Sequence, residues 1–252
     1  MRLVLEEETR FPFATRRFVP EVSLELAAHD KMFTGDHHHY LSCGASALNT
    51  ILAAQMLGCL DPPATILDFG AGAGRVTRWL RAAFPQAAIA ACDLRAQDMA
   101  FCASAFAATT WVSSVDIPSL AAPGTYDLIW LGSVATHLPA RKTAQLLDKM
   151  LSWTNAGGLV VMSLHGRFAL ARQNSGRFAY IDDERWQAIA AAYGTDGYGY
   201  ADYPGQSDYG ISVSKLSWIA KLVEARSDTR LVLLAETVWH AHHDVVAVQA
   251  VR

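Results

Sequence analysis

Between residues 65 and 164, short apolar runs alternate with stretches in which apolar side chains recur every three or four positions. Residues 65–69, 88–92, 127–131 and 158–164 have the length and apolar content of buried strands, and 110–113 is a weaker run of the same kind. Between them, residues 75–84 place Val76, Leu80 and Phe84 on one side of a helix, and 96–106 and 139–153 read as two more helices. Strands separated by helix-length segments must cross over the sheet face, which makes the sheet parallel and covers it on both sides. The pattern predicts an α/β fold with a doubly wound sheet.

The flanks differ. Upstream, Leu48, Ile51, Leu52 and Met56 form the stripe of a packing helix that begins near Gly44 and ends at Gly58, before Pro62 and Pro63. Residues 1–36 mix charge with Pro12 and Pro20 without a period, and are expected to wrap over the surface of the domain. After Gly166 the pattern breaks: residues 166–210 carry Tyr180, Tyr193, Tyr198, Tyr200, Tyr203 and Tyr209 among many glycines, more chain than a plain connection needs. A helix is predicted over 214–225. Two strand-like runs, 231–238 and 245–251, are separated by a short turn holding His240, His242 and His243, and should pair as an antiparallel hairpin. The expected organisation is an extension with its packing helix (1–60), a core (61–165), an aromatic-rich insertion (166–210), and a helix and hairpin that complete the core (211–252).

A chain of 252 residues, 52% hydrophobic and 18% charged, suits one large compact domain and argues against disorder. A formal net charge of -3 gives no global positive field, so nucleic acid is not an expected partner. Cys43, Cys59, Cys92 and Cys102 are far apart and form no C-x-x-C pair, which fits a reducing compartment and suggests neither a zinc knuckle nor a disulfide framework. Glu6, Glu7 and Glu8 stand where a signal peptide would carry its apolar core. No apolar run approaches the roughly 18 residues needed to span a bilayer. The expectation is a cytoplasmic protein without a membrane span.

The strand Ile66-Leu67-Asp68-Phe69 runs into Gly70-Ala71-Gly72-Ala73-Gly74 and then directly into a helix. Alternate glycines let the backbone turn tightly and leave no Cβ between it and a ligand, while the helix start offers unpaired N–H groups. Asp93, at the end of the second strand, stands where a carboxylate accepts hydrogen bonds from ribose hydroxyls. A dinucleotide fingerprint would need a glycine where Arg75 or Thr77 stands, which argues against NAD(P) and leaves an oxidoreductase as the weakest reading.

The run Asp68 to Gly74, with Asp93 after the second strand and Asp116 after the third, resembles the class I S-adenosylmethionine-dependent methyltransferases over about residues 60–165. The resemblance implies a Rossmann-like seven-stranded sheet ending in an antiparallel hairpin, and S-adenosyl-L-methionine as cofactor. It implies further that Gly70, Ala71 and Gly72 approach the cofactor's methionine part, with Asp68 and Gly74 in the same loop. Asp93 would hold the ribose, Leu94 would pack on the adenine, and Asp116 and Ile117 would border its amino edge. Gly132 and Ser133 match the family's position beneath the cofactor, and Ala135-Thr136-His137-Leu138-Pro139 is similar to its H-L-P turn. Tyr40 and Gly44 would close over the methionine end. The segments 201–205, 209–210 and 243–246 look like bacterial methyltransferase-domain proteins found with polysaccharide biosynthesis.

Methyl transfer from a sulfonium needs the acceptor in line with the S–CH3 bond, and a base helps only when the acceptor is an alcohol or an ammonium. His137, His165 and the group His240, His242 and His243 all fall at predicted carboxyl ends of strands. His165, His243 and His137 are the candidate catalytic residues, with Asp244 able to orient His243; each competes with a packing or solvated role. No metal is expected from His37, His38 and His39 together with the hairpin histidines, because consecutive histidines do not easily face one centre and the spacings match no recurrent zinc pattern; the run reads as a solvated loop. The expected activity is methyl transfer to an oxygen, or less favourably a nitrogen, of a small molecule or glycan intermediate bound under the insertion. The competing class is a non-catalytic S-adenosylmethionine-binding scaffold.

Overall fold

The computed structural model describes residues 11–251; Glu6, Glu7 and Glu8 lie outside the described residues. The chain opens with a 3-10 stretch, Phe13–Glu21, and then helix α1, His37–Gly58. The core comes next as β1 (Thr65–Phe69), α2 (Thr77–Ala83), β2 (Ala88–Asp93), α3 (Ala96–Phe106), β3 (Thr109–Val112), β4 (Tyr126–Leu131), α4 (Ala140–Ser152) and β5 (Thr154–Leu164). Beyond it come α5 (Arg167–Asn174), α6 (Asp183–Asp196), β6 (Tyr198–Asp202), β7 (Gly210–Ser214), α7 (Leu216–Glu224), β8 (Thr229–Trp239) and β9 (His243–Ala250).

Seven strands form one sheet in the order β3-β2-β1-β4-β5-β9-β8, parallel throughout except for β9, which runs antiparallel to both neighbours. Both faces are covered, so adjacent residues of one strand enter different cores: Ile66, Leu128 and Val161 pack beneath α1 to α3, and Leu67, Ile129 and Val160 beneath α4 and α7. This explains why the strands read as continuous apolar runs rather than alternating ones. Strand order reverses between β1 and β4, and an open α/β sheet has its crevice at the carboxyl ends of such a pair.

Two expectations are corrected. Helix α1 begins at His37, before the expected Gly44, because the Asp36 side chain caps it by accepting from the His39 amide at 3.0 Å. His37, His38 and His39 are therefore the first turn of a helix and not a loop. The insertion has a core of its own: α5, α6 and the two-stranded sheet β6-β7 enclose Ile181, Trp186, Ile189, Ile211 and Val213.

The amino-terminal layer is tied down by a buried arginine. Phe11, Val19 and Val22 pack with Tyr40, Leu48 and Trp79, and Arg78, 1% exposed, donates to the carbonyls of Ser23 and Glu25 at 2.8 Å and of Gly74 at 3.2 Å. Among the described residues no helix is long and apolar enough to cross a membrane.

Candidate active site

The glycine loop leaves β1 at the reversal point. Its first two amides, Gly70 and Ala71, donate to the Cys92 carbonyl at 2.9 and 3.1 Å, which fixes the loop against the end of β2. Gly70, Gly72 and Gly74 all have positive φ, +76°, +53° and +76°. A Cβ at Gly70 would lie 2.4 Å from Val134 Cγ2, and one at Gly74 would lie 2.3 Å from the Phe106 ring, so these two positions need glycine for close packing. At Gly72 an added Cβ would meet nothing within 4 Å. That backbone faces open space and is the part of the loop a ligand can approach.

Asp93 stands beside it, its Oδ2 accepting from the Gly72 amide at 2.9 Å and its Oδ1 from the Arg95 amide at 3.4 Å. Each carboxylate oxygen retains a lone pair for a further donor. Asp68 is different. It is 1% exposed and accepts from Thr77 Oγ at 2.6 Å beneath the loop, and burial pushes its carboxyl up to about 7. It joins the loop to α2 and does not face the crevice.

Arg75 comes directly after the last glycine, half-buried, with no hydrogen bond or ion pair among the described residues; the Tyr40 ring, 6.0 Å away, is its near contact. In the sequence it only broke the dinucleotide spacing. An unpaired guanidinium beside open backbone N–H groups suits a carboxylate.

Leu94 is exposed next to Asp93, an apolar face at the end of β2, and Asp116 is exposed at the start of the 3-10 turn Ile117–Ser119. Ile117 is buried with Leu120 and Tyr126. Across the reversal, Gly132 permits close approach of two indoles: a Cβ there would lie 2.7 Å from Trp130 Nε1 and 3.0 Å from Trp239. Ser133 holds a left-handed φ of +59° and donates its amide to Ser163 Oγ at 2.7 Å. Tyr40 and Gly44 lie in the amino-terminal layer instead, Tyr40 Oη donating to Asp30 at 2.6 Å and Gly44 closing on Trp79.

The histidines fall into separate places. A row of rings runs from Trp130 through Trp239 and His243 to His165, with centroids 5.1, 4.6 and 5.0 Å apart, and Tyr180 and His242 adjoin its end. Burial pushes His165 down to about 3, holds His243 well below the ordinary imidazole range, and pushes His242 down to about 4. Arg172 donates to His242 Nδ1 at 2.8 Å, so the His242 proton sits on Nε2 and faces Tyr180 Oη at 3.2 Å.

His137 donates from Nδ1 to the Gly210 carbonyl at 2.8 Å and lies against Tyr203 and Tyr209, with burial lowering its basicity too. The proposed couple of His243 with Asp244 does not form: consecutive strand residues point to opposite faces, and Asp244 accepts from the Thr237 amide at 2.9 Å while resting on Gly166. His240 is turned away toward α1, its ring 4.9 Å from that of His39.

Residues 67–160, from β1 to β5 and including the glycine loop and Asp93, match the family model described as a methyltransferase domain. The chain carries a methyltransferase domain over these residues, and its fold is that of the class I S-adenosylmethionine-dependent methyltransferases. The family's sheet, seven strands with a closing antiparallel pair, is the one seen here. Among curated relatives, the chain is 30% identical over 105 residues to trans-aconitate 2-methyltransferase of Azoarcus sp. (strain BH72), a match over 42% of this chain and 40% of that protein. The chain thus spans well under half the length of that relative.

Among solved methyltransferase folds it is similar to an S-adenosylmethionine-dependent methyltransferase from Clostridium acetobutylicum ATCC 824 (TM-score 0.56, 13% identity, 81% of this chain and 91% of that one). It is also similar to magnesium protoporphyrin IX methyltransferase of Synechocystis PCC 6803 (TM-score 0.54, 13% identity, 93% and 92%). A third is an N-methyltransferase from Bradyrhizobium japonicum WM9 (TM-score 0.51, 11% identity, 96% and 100%). At these identities the likeness is one of fold.

Proposed function

We propose that this chain transfers a methyl group from S-adenosyl-L-methionine to an oxygen of a small molecule or glycan intermediate, with nitrogen as the alternative acceptor atom. The observation that carries the reading is the open backbone at Gly72, flanked by the Asp93 carboxylate and the unpaired Arg75 at the point where strand order reverses. In this reading Asp93 accepts from the ribose hydroxyls, Leu94 covers one face of the adenine, and Arg75 holds the methionine carboxylate. Gly70, Ala71 and Gly72 supply the close approach, Gly74 and Asp68 keep the loop in shape, and Gly132 and Ser133 form the floor. Asp116 borders the adenine side.

The acceptor occupies the space between β4, β5 and the insertion, walled by His137, His165 and His243. These imidazoles stay neutral at physiological pH, and their lowered basicity makes them weak proton acceptors, so they act as walls and hydrogen-bonding partners more than as general bases. That chemistry favours an acceptor already carrying a reactive lone pair, such as a carboxylate oxygen. The relative named for trans-aconitate, a tricarboxylic acid, supports the oxygen reading.

Calorimetry with S-adenosylhomocysteine tests the cofactor half: the chain should bind it, and Asp93→Ala should weaken binding. Mass spectrometry of bacterial metabolite extracts incubated with deuterated-methyl cofactor tests transfer. Absence of binding overturns the site, and binding without any labelled product favours the scaffold reading.

A further inference from the structure

The hairpin turn between β8 and β9 distributes its histidines to two clusters, each able to present three ligand atoms within 4.8 Å of one another: His165, His242 and His243, and His39, Cys43 and His240. The first is a poor home for a cation. Both ring nitrogens of His242 are engaged, Nδ1 by the Arg172 guanidinium at 2.8 Å and Nε2 by Tyr180 Oη at 3.2 Å, so neither is free to ligate.

The second cluster is built differently. His39 and Cys43 are four residues apart on α1 and so share one face of the helix, with His39 Nε2 3.8 Å from Cys43 Sγ. Tetrahedral coordination with metal–sulfur near 2.3 Å and metal–nitrogen near 2.0 Å separates such atoms by about 3.6 Å, so the pair is already close to ligand spacing. The third member comes from far along the chain and is fixed in place by the same helix. Trp239 Nε1 donates to the Cys43 carbonyl at 2.9 Å, and the His240 amide donates to Ser46 Oγ at 2.7 Å. A left-handed φ of +53° at His240 turns its ring over His39. His39 is exposed, which gives an ion a path in, and Cys43 is buried, which shields the sulfur.

We propose that His39, Cys43 and His240 bind one divalent transition-metal ion of the zinc class, with a fourth position left to water. One thiolate and two imidazoles form the soft, nitrogen-rich set that such ions favour over magnesium or calcium. Binding replaces the Cys43 S–H bond with a sulfur–metal bond, and the thiol proton goes to solvent. An ion here would staple the hairpin turn to α1. In the sequence the run His37 to His39 and the hairpin histidines match no zinc spacing, and the thiol lies outside both; the fold brings one histidine from each beside Cys43.

The test uses the full-length chain, stripped with a chelator and titrated with Co2+ under anaerobic conditions. Expected are one equivalent bound, intense tetrahedral visible bands, and a near-ultraviolet sulfur-to-cobalt charge-transfer band displaced by Zn2+. Cys43→Ser should abolish the charge-transfer band, whereas Cys59→Ser, at an exposed cysteine, should leave it intact. His39→Ala and His240→Ala should each weaken binding by at least the ~10- to 100-fold that loss of an outer-sphere partner costs. His39 is solvent-exposed, so its variant keeps the test valid if Cys43→Ser fails to fold. No binding, binding without the sulfur band, or binding removed by His242→Ala but not by His39→Ala overturns the proposal. The result does not depend on whether the chain binds S-adenosylhomocysteine.

Discussion

Replacing Gly72 and Gly74 separately by alanine should separate a ligand-facing glycine from a packing one. Both have positive φ, so alanine at either costs about 1–2 kcal/mol of backbone strain. At Gly74 the new methyl would also overlap the Phe106 ring at 2.3 Å, which adds about 1–3 kcal/mol of overpacking. At Gly72 it would meet no protein atom within 4 Å, so stability should fall by the strain alone, a drop in Tm of roughly 2–8 °C for a chain of this size. If the cofactor lies on this backbone, the same methyl enters its space, and about 1–3 kcal/mol of overlap weakens S-adenosylhomocysteine binding about 5- to 150-fold. Differential scanning fluorimetry and calorimetry on the two variants read both quantities. A Gly72→Ala protein that binds S-adenosylhomocysteine as tightly as the parent would refute the placement of the cofactor on this loop.

Arg75→Ala should raise the Kd for S-adenosylhomocysteine about 10- to 150-fold, the worth of a charge-assisted hydrogen bond, while Tm stays within a degree or two, since the side chain has no hydrogen bond or ion pair among the described residues and only a distant contact with the Tyr40 ring; an unchanged Kd would remove Arg75 from the site. Arg78→Leu should cost about 2–4 kcal/mol in urea unfolding, because the carbonyls of Ser23, Glu25 and Gly74 lose their shared donor, and a loss under 1 kcal/mol would show that the amino-terminal layer is held otherwise. His165 is neutral in the fold down to about pH 3 but titrates near 6.5 when unfolded, so the unfolded chain binds more protons between those values and stability falls as pH drops below 6.5. Denaturation midpoints at pH 7.5, 6 and 5 should therefore fall more gently in His165→Phe than in the parent. Asp68, raised to about 7, acts with the opposite sign, giving stability as pH falls from 7 toward 3.8, so Asp68→Asn should steepen the acid loss; equal slopes in all three proteins would contradict both assignments.

The central sheet was readable because its strands are buried on both faces and its helices carry a strong period, so local patterning and tertiary burial agree at residues such as Ile66, Leu67, Leu80 and Leu147. The loop from Gly70 to Gly74 was readable for a related reason: glycine at positive φ leaves a mark in composition. What escaped detection depended on partners distant in sequence. Arg78 looks like a surface helix residue until the segment around Ser23 is folded over it, and Arg75 gains meaning only from having no partner in a half-buried position. The start of α1 was missed because His37 to Ser42 carry no apolar period; a single capping carboxylate, Asp36, sets the boundary. In the insertion the tyrosines are conspicuous in composition, yet Tyr198 is buried with its hydroxyl bonded to the Leu138 carbonyl at 2.7 Å, joining the small sheet to the turn after β4.

The hairpin shows how one short run can serve two surfaces. Between Trp239 and His243 the chain turns through two residues of left-handed φ, His240 and Ala241, and this twist sends His240 to α1 while His242 and His243 face β5. The Trp239 indole sits at the junction, hydrogen-bonded to α1, edge-to-face with Trp130 and stacked on His243. In the proposed reading the sulfonium of the cofactor lies near this row, above Gly132 and Ser133. A positive centre beside aromatic faces is stabilised, whereas one beside protonated imidazoles is repelled. Burial that holds His165 and His243 neutral therefore suits the charge of the donor, and it does so by the same desolvation that makes them weak bases. In that reading, with catalysis by alignment, Gly132, which lets the two indoles approach, and Ser163, which holds the Ser133 amide, would bear on rate although neither takes a proton.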